Sequence, residues 1–430
     1  MINIQDLHFK GEILPLFDFV HNEFSRNTLL QLLSEIPESV EEIYLRQDIL
    51  KSLLANDRLY IPFSYSRIEF NQVYTYIEDK KRKGARMRGN LLKIHLLFAH
   101  AERSREEGGL SQLFIFLDKI NHFYFSSLDP QSFPEAFRDK LINIRRMMTD
   151  LEVGKYCAIA RKRGITIREV SGLILRLEEK IGNGEMDGFW KDFFLFEAWF
   201  SVSKGIKENH FTFPEFKERD LTITEFYHPL LKSPVKNSLA VQENVTLITG
   251  PNMSGKSTLL KSIGLCVYLA HLGLAVPAKQ CALPFFDVIS VAINLNDDIT
   301  NGYSHFMAEI KTVKEVVVQA HNKKRCFAIF DELFRGTNIE DALAISKTTI
   351  LGLTAFQDCY FFISTHLHQL EQAIDLNAHK IRAVYIECTL DQGIPIFTYR
   401  LKPGWSELKI GQILFEQEGL NALLPSPGII

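Results

Sequence analysis

One stretch of eight residues, Gly250-Pro251-Asn252-Met253-Ser254-Gly255-Lys256-Ser257, constrains this chain more than any other. It satisfies G-x-x-x-x-G-K-[ST] and lies between an apolar run, Val245–Ile248, and an apolar helical pattern from Thr258. A strand that turns through glycines straight into a helix must sit in a sheet, with the helix packed on one face. The loop gathers free backbone N–H groups at a helix N-terminus, where the partial positive charge favours an anion. The pattern predicts a phosphate-binding loop running from Gly250 to Thr258. Lys256 would reach the β- and γ-phosphates and Ser257 would coordinate Mg²⁺.

A second feature fits the first. Cys326–Phe330 is wholly apolar and delivers Asp331-Glu332 at its end. Two acids at the end of an interior strand need a reason, because unpaired buried charge is costly. Magnesium supplies one. Asp331 would hold the metal through water, and Glu332 would orient or deprotonate an attacking water. Phosphotransfer to a small molecule stays open at this level, although the second acid argues for a water nucleophile.

The pattern around these motifs alternates short apolar strands with helices, at Val245–Ile248, Asp287–Leu295, Cys326–Phe330 and Tyr360–Ser364. That alternation implies a mainly parallel sheet in an α/β layer. Ile381–Leu390 and Ile394–Leu401 flank Asp391-Gln392-Gly393 and read as a hairpin. Before about residue 220 the spacing is helical, in segments such as Val40–Leu54, Asn90–Glu107, Leu113–Phe125 and Ile167–Ile181. The chain is thus expected to divide into a helical domain, 1–220, and an α/β nucleotide-binding domain, 221–430. The 430 residues leave room for both. A net charge of −3 excludes a uniformly basic coat. The six cysteines form no C-x-x-C pair and read as buried thiols of a reducing compartment. The uncharged run Ser262–Ala278 contains His271 and Pro277 and is expected to be a buried helix and strand, not a membrane span.

The residues also carry a resemblance. Thr249-Gly-Pro-Asn-Met-Ser-Gly-Lys-Ser-Thr258 resembles the ATPase loop of the MutS family of DNA mismatch repair proteins. Asp331–Asn338, Ser364-Thr365-His366, Tyr227-His228-Pro229-Leu230 and the tail Gly404–Leu420 resemble further motifs of that family, in the family's order. The resemblance implies an ABC-like P-loop ATPase domain that uses ATP and Mg²⁺ and works as a dimer. It implies a γ-phosphate or water-sensing role for His366, where the residue alone reads equally as a strand-end histidine of the core. Asn252 reads as a phosphate contact or a turn support, and His228 as a neighbour of the base or a turn residue. Tyr303-Ser304-His305-Phe306-Met307-Ala308-Glu309 stands where the family has Ser-Thr-Phe-x-x-Glu. Ser304 would cap the helix that follows and, by the resemblance, contact ATP bound by the other subunit.

Glu42–Leu50 resembles the family's Arg-Gln segment near its lever domain, so 1–220 would be a core and lever of helices. In the family such levers end in a clamp on DNA. Lys80, Lys81, Arg82, Lys83, Arg86 and Arg88 could neutralise phosphates, or form a solvated helix face. Arg145-Arg146 and Arg161-Lys162-Arg163 are secondary candidates. The family's mismatch sensor uses a Phe-x-Glu wedge in an N-terminal domain, and this chain is expected to lack that domain. Phe133-Pro134-Glu135 and Phe213-Pro214-Glu215 match the tripeptide but read as helix boundaries. The expected function is an intracellular, ATP-gated binder of mismatched, branched or otherwise distorted double-stranded DNA. The alternatives are a branched-DNA binder without mismatch reading and an ATP-switched protein scaffold without DNA.

Overall fold

The computed structural model describes residues 2–83, 90–162, 164–293, 305–334, 336–406, 408, 410–419 and 423. The chain forms two compact units. One comprises 17–35 and 44–208; the other comprises 1–16, 36–43 and 209–430.

The first unit is helical. Its helices are α1 (Glu23–Ser34), most of α2 (Val40–Leu54), α3 (Arg67–Lys83), α4 (Asn90–Phe98), α5 (His100–Ile120), α6 (Glu135–Asp150), α7 (Val153–Lys162), α8 (Ile167–Gly182) and α9 (Glu185–Glu208). Local chemistry sets their ends. Asn22 caps α1 by accepting from the Ser25 N–H, and Thr166 with Glu169 forms a reciprocal capping box on α8. Helix α9 is buried on nearly every side along its length, as a central helix must be, and Phe193, Phe196 and Phe200 fill its surroundings. The periodic segment Asn90–Glu107 is not one helix: the backbone leaves helical geometry at Ala99, and α4 and α5 meet there. Apolar spacing carries across the bend, which is why the sequence conceals it. The next segment, Leu113–Phe125, ends in a wider turn at Asn121–Phe125.

The second unit holds the sheet strands β1 (Ile2–Asn3), β2 (Glu215–Phe216), β3 (Leu221–Phe226), β4 (Asn237–Val241), β5 (Val245–Thr249), β6 (Gln280–Leu283), β7 (Val288–Ala292), β8 (Cys326–Phe330), β9 (Tyr360–Ser364), β10 (Ile381–Asp391) and β11 (Ile394–Pro403). Helices α10 (Lys256–His271), α11 (His305–His321), α12 (Ile339–Leu353), α13 (Gln369–Ala373) and α14 (Gly411–Gln417) connect or follow them. The main sheet has the order β1-β7-β8-β9-β5-β10-β11, parallel except for the β10–β11 hairpin. A smaller sheet has the order β2-β6-β3-β4. Every residue of β5, β7, β8 and β9 is buried, as expected of parallel strands covered on both faces.

Several local expectations change. Residues 1–16, read from sequence as part of the helical half, belong to the α/β unit. There β1 pairs with β7, the Asp6 carboxylate accepts the Ile293 N–H at 2.7 Å, and Phe9 sets its ring edge to Tyr268 at 5.1 Å. A two-residue strand has no periodicity to read. Asp287 stands outside β7 because its carboxylate accepts the Arg325 N–H at 2.8 Å. After α10 the chain makes only an isolated bridge, Val276 to Thr212, rather than a strand. Phe213-Pro214-Glu215 leads into β2 and is not a helix boundary, whereas Pro134 does stand at the start of α6. The hairpin turn is two residues, Gln392 and Gly393, both at positive φ, which matches the twist of paired strands. The six thiols are free, and all but the half-buried Cys388 are buried. Among the described residues no helix is long and apolar enough to cross a membrane.

Candidate functional site

Strands β5, β8 and β9 run parallel and end at the same edge of the sheet, so the segments after Thr249, Phe330 and Ser364 emerge side by side. Open α/β sheets present ligand crevices at that edge. The loop after β5 is shaped by two glycines. Gly250 has φ 146°, and a Cβ there would meet Ser254 Oγ at 2.9 Å; Gly255 has φ 94°, and its Cβ would lie 3.3 Å from the Tyr399 ring. Helix α10 begins at Lys256, two residues before the start read from sequence.

Lys256 is buried, and its Nζ donates to the carbonyls of Gly250 at 2.9 Å and Pro251 at 3.2 Å. Burial pulls its pKa down, against the pull of Glu332 and Asp331 in the opposite direction. Ser257 Oγ donates to Asp331 Oδ2 at 2.6 Å, joining the loop to the end of β8. Ser364 Oγ, at the end of β9, donates to the other Asp331 oxygen and accepts the Glu332 N–H at 2.9 Å. The Asp331 N–H is itself bonded to the Ala292 carbonyl at 3.0 Å, which locks the strand end. Burial raises the Asp331 pKa, the hydrogen bonds from Ser257 and Ser364 oppose this, and the neighbouring Glu332 charge raises it further. Glu332 has φ 52°, an uncommon conformation for a side chain of its kind, and it turns the chain sharply after the strand.

The structure therefore brings Gly250, Lys256, Ser257, Asp331 and Glu332 together. Asn252, Met253, Thr258 and His366 are exposed along the same edge, Pro251 and Gly255 are half-buried, and Ser254 is buried. His366 follows Thr365, whose N–H is bonded to the Ile248 carbonyl at 3.1 Å, so β9 delivers it beside the loop strand. Ser304, expected to act across subunits, lies outside the described residues. Nearby, Gly336 lets the loop after Glu332 approach α11, since a Cβ there would sit 3.0 Å from Phe306 Cβ.

Beside the loop lies a cavity of about 350 Å³, lined by His228, Asn237, Ser254, Thr258, Ile386 and Tyr399 among others. Burial, then the Lys261 charge, lowers the His228 pKa, so the ring is neutral near pH 7. Asn237 donates to the Tyr399 carbonyl at 3.0 Å and accepts the Leu401 N–H at 2.8 Å, tying β4 to β11. Tyr399 is the wall residue that the sequence does not reveal. The β10–β11 pairing slips between Ile386 and Cys388, and the bulge leaves Tyr399 at φ 57° with its ring over Gly255. Only the register of the hairpin shows this.

The basic run looks different in three dimensions. Lys80 pairs with Glu106 at 2.7 Å and both are largely buried; Lys81 pairs with Asp187 at 2.6 Å and Arg82 with Asp79 at 2.6 Å. Lys83 is exposed, and Arg86 and Arg88 lie outside the described residues. Arg145 donates to the carbonyls of Phe125 and Leu128, and Arg161 lies 3.6 Å from Asp118. Lys80 and Arg145 are held within the helical packing, whereas Lys81, Arg82 and Arg161 make exposed surface pairs.

The oxygen set fits magnesium. One carboxylate and one hydroxyl converge, and Mg²⁺ ordinarily takes one or two protein oxygens and completes its shell with phosphate and water. No cluster of three or more His, Cys, Asp or Glu suited to a metal occurs among the described residues.

Residues 246–420 match the family model MutS domain V. The DNA mismatch repair protein MutS of Bacillus subtilis (strain 168) is 33% identical over 215 residues, covering 48% of this chain and 25% of that protein. The protein of the same name from Geobacillus sp. (strain WCH70) is 26% identical over 338 residues, 75% of this chain and 39% of that protein. That of Streptococcus sanguinis (strain SK36) is 28% identical over 331 residues, 72% and 38% respectively. The matched stretch thus spans between a quarter and two fifths of these curated relatives.

Proposed function

The chain is a member of the MutS family through its residues 246–420, and from that premise we propose that it is an ATPase whose nucleotide state controls binding to DNA. The observation that carries the reading is the Ser257–Asp331 contact at the ends of parallel strands, with Lys256 and Glu332 on either side. The phosphates of ATP would lie along the N–H groups of 250–257, with Lys256 exchanging its two carbonyl contacts for phosphate oxygens. Ser257 and Asp331 would hold Mg²⁺, which, when bound, neutralises charge building on the phosphates. Glu332 accepts a proton from the attacking water, at the point where the backbone turns sharply after the strand. His366 orients that water or the terminal phosphate. The base enters the cavity between His228 and Tyr399, where a flat ring can stack and Asn237 is held by the backbone.

In this reading 221–430 is a P-loop domain that dimerises, with Ser304 completing the site of the other subunit, and 1–220 is the helical lever. The test is ATP turnover and nucleotide binding by the whole chain. Affinity for mismatched, branched and perfect duplex is then measured with and without ATP. Equal affinity for mismatch and perfect duplex removes mismatch reading, and no binding at low salt removes DNA altogether. The internal pairing of Lys80, Lys81 and Arg82 favours a second reading, an ATP-switched scaffold for a protein partner. Neutralising Lys83, Arg86 and Arg88 separates the two, because only the DNA reading loses salt-dependent affinity.

A further inference from the structure

Five of the six thiols are buried, and two of them meet. Cys326 opens β8, and Cys359 stands one residue before β9. Phe327 pairs with Tyr360 in the parallel register, so Cys326 and Cys359 occupy matching positions one step earlier on neighbouring strands. Matching positions of a parallel pair point to the same face, and both side chains belong to one core cluster. The Cys326 N–H donates to Cys359 Sγ at 3.4 Å, and the Cys326 thiol is hydrogen-bonded to the same sulfur. Both sulfurs also lie on one carbonyl: the Lys324 oxygen is 3.4 Å from Cys326 Sγ and 3.6 Å from Cys359 Sγ. Neighbouring strands stand about 4.8 Å apart, within the span of roughly 4.4–6.8 Å between Cα atoms that a disulfide requires. We propose that Cys326 and Cys359 form a redox modification site, which hydrogen peroxide converts into a disulfide joining the starts of β8 and β9.

The two thiols are not equivalent. The hydrogen bond from the Cys326 thiol pulls the Cys359 pKa down; burial opposes this, and the Cys326 N–H adds to the pull. Giving that bond, together with burial, raises Cys326. Cys359 is therefore the attacking thiolate and Cys326 the resolving thiol. The Cys359 sulfur attacks one peroxide oxygen and the O–O bond breaks, leaving a sulfenic acid and a hydroxide that takes a proton to become water. The Cys326 sulfur then attacks the Cys359 sulfur. The S–S bond forms, the S–O bond breaks, and the Cys326 proton leaves with the hydroxide as a second water. Two thiols are oxidised and one peroxide is reduced. The pair is shallow. Cys359 is 3% exposed, and the side chains of Asp358 beside it and Lys324 near Cys326 are 56% and 54% exposed. That depth suits an oxidant little larger than water. Cys266 and Cys281 serve as an internal control, because burial raises both of their thiols. The inference stands on the starts of two strands and holds whether or not the nucleotide reading does.

The experiment uses the full chain. The folded protein is treated with hydrogen peroxide, its remaining thiols are alkylated in denaturant, and its peptides are mapped by mass spectrometry. Two of the six thiols should disappear together, in one linked pair of peptides bearing Cys326 and Cys359, and both should return with dithiothreitol. Cys326→Ala should hold Cys359 as a sulfenic acid that dimedone labels. Cys359→Ala should slow the loss of the Cys326 thiol by about tenfold or more, with circular dichroism retained. A pair that stays reduced after the half-buried Cys388 has been oxidised overturns the proposal. So does linkage of Cys359 to any other cysteine, or loss of the Cys326 thiol at the same rate in Cys359→Ala.

Discussion

Two carboxyl groups lie deep in the two units and are held in opposite ways. Glu197, in α9, is 2% exposed, and its oxygens accept from Asn22 Nδ2 at 2.6 Å, Ser25 Oγ at 2.6 Å and Tyr65 Oη at 2.7 Å. Burial pushes its pKa up to about 7, although all three donors pull it down. Asp331 is also raised by burial, but its donors are two hydroxyls, one of them on the exposed Ser257, and Lys256 and Glu332 stand beside it. The first group is enclosed by donors from its own unit, which fixes how α1 packs on α9. The second stands at the strand-end edge, where one of its two donors, Ser257, is exposed. The difference teaches that burial alone does not mark a working acid. Under the proposed function, what distinguishes Asp331 is burial combined with an exposed partner and a strand end that holds it in place.

The largest effect expected from this contrast is on turnover. Glu332→Gln should lower ATP hydrolysis by about 10²- to 10⁴-fold with nucleotide still bound, whereas Glu197→Gln should leave turnover within about twofold. Phosphate release and nucleotide-binding assays decide it, and native turnover in Glu332→Gln would remove the assigned role. The next effect is on stability. Glu197→Ala strands three buried polar groups and should cost about 3 kcal/mol in urea unfolding, whereas Asp331→Asn removes a partly buried charge and should cost less than about 1 kcal/mol. Similar losses for both would erase the distinction between enclosed and open acids. A smaller cost, about 1–2 kcal/mol, is expected for Gly250→Ala, through positive-φ strain and the clash with Ser254. Gly11→Ala, at a position with open space around the Cβ, is the control.

The last effect is on pH dependence. The folded pKa of Glu197 lies above its ordinary 4.5, so its contribution is full below pH 4.5 and is lost as pH rises through about 7. His271 has the opposite sign. Its Nδ1 faces the Val267 carbonyl at 2.8 Å, its Nε2 accepts the Phe286 N–H at 2.9 Å, and burial lowers its pKa to about 4. Its contribution is full above its ordinary 6.5 and is lost as pH falls through about 4. Denaturation midpoints between pH 4 and 8 should therefore change slope in opposite senses for Glu197→Gln and His271→Gln.

Much of the site was legible because its chemistry is local. The phosphate-loop pattern sits on eight consecutive residues, and Asp331-Glu332 follows an apolar run whose bounds, Cys326–Phe330, are those of β8. Three features were not legible. Tyr399 reaches the loop through a bulge, which depends on the register between two strands. The chain start joins the sheet by two residues, too few for a pattern. Lys80 and Lys81 read as free cations because their partners, Glu106 and Asp187, lie far along the chain.

By itself the sequence determined the parallel α/β layer, the helical half and the identity of the acids and the loop. Those follow from periodicities and from short motifs in which the cooperating residues are neighbours. Tertiary structure alone decided which charges are neutralised, which two thiols meet, and which ring walls the cavity. These depend on contacts between distant segments, and a linear pattern carries no record of which segment another one meets.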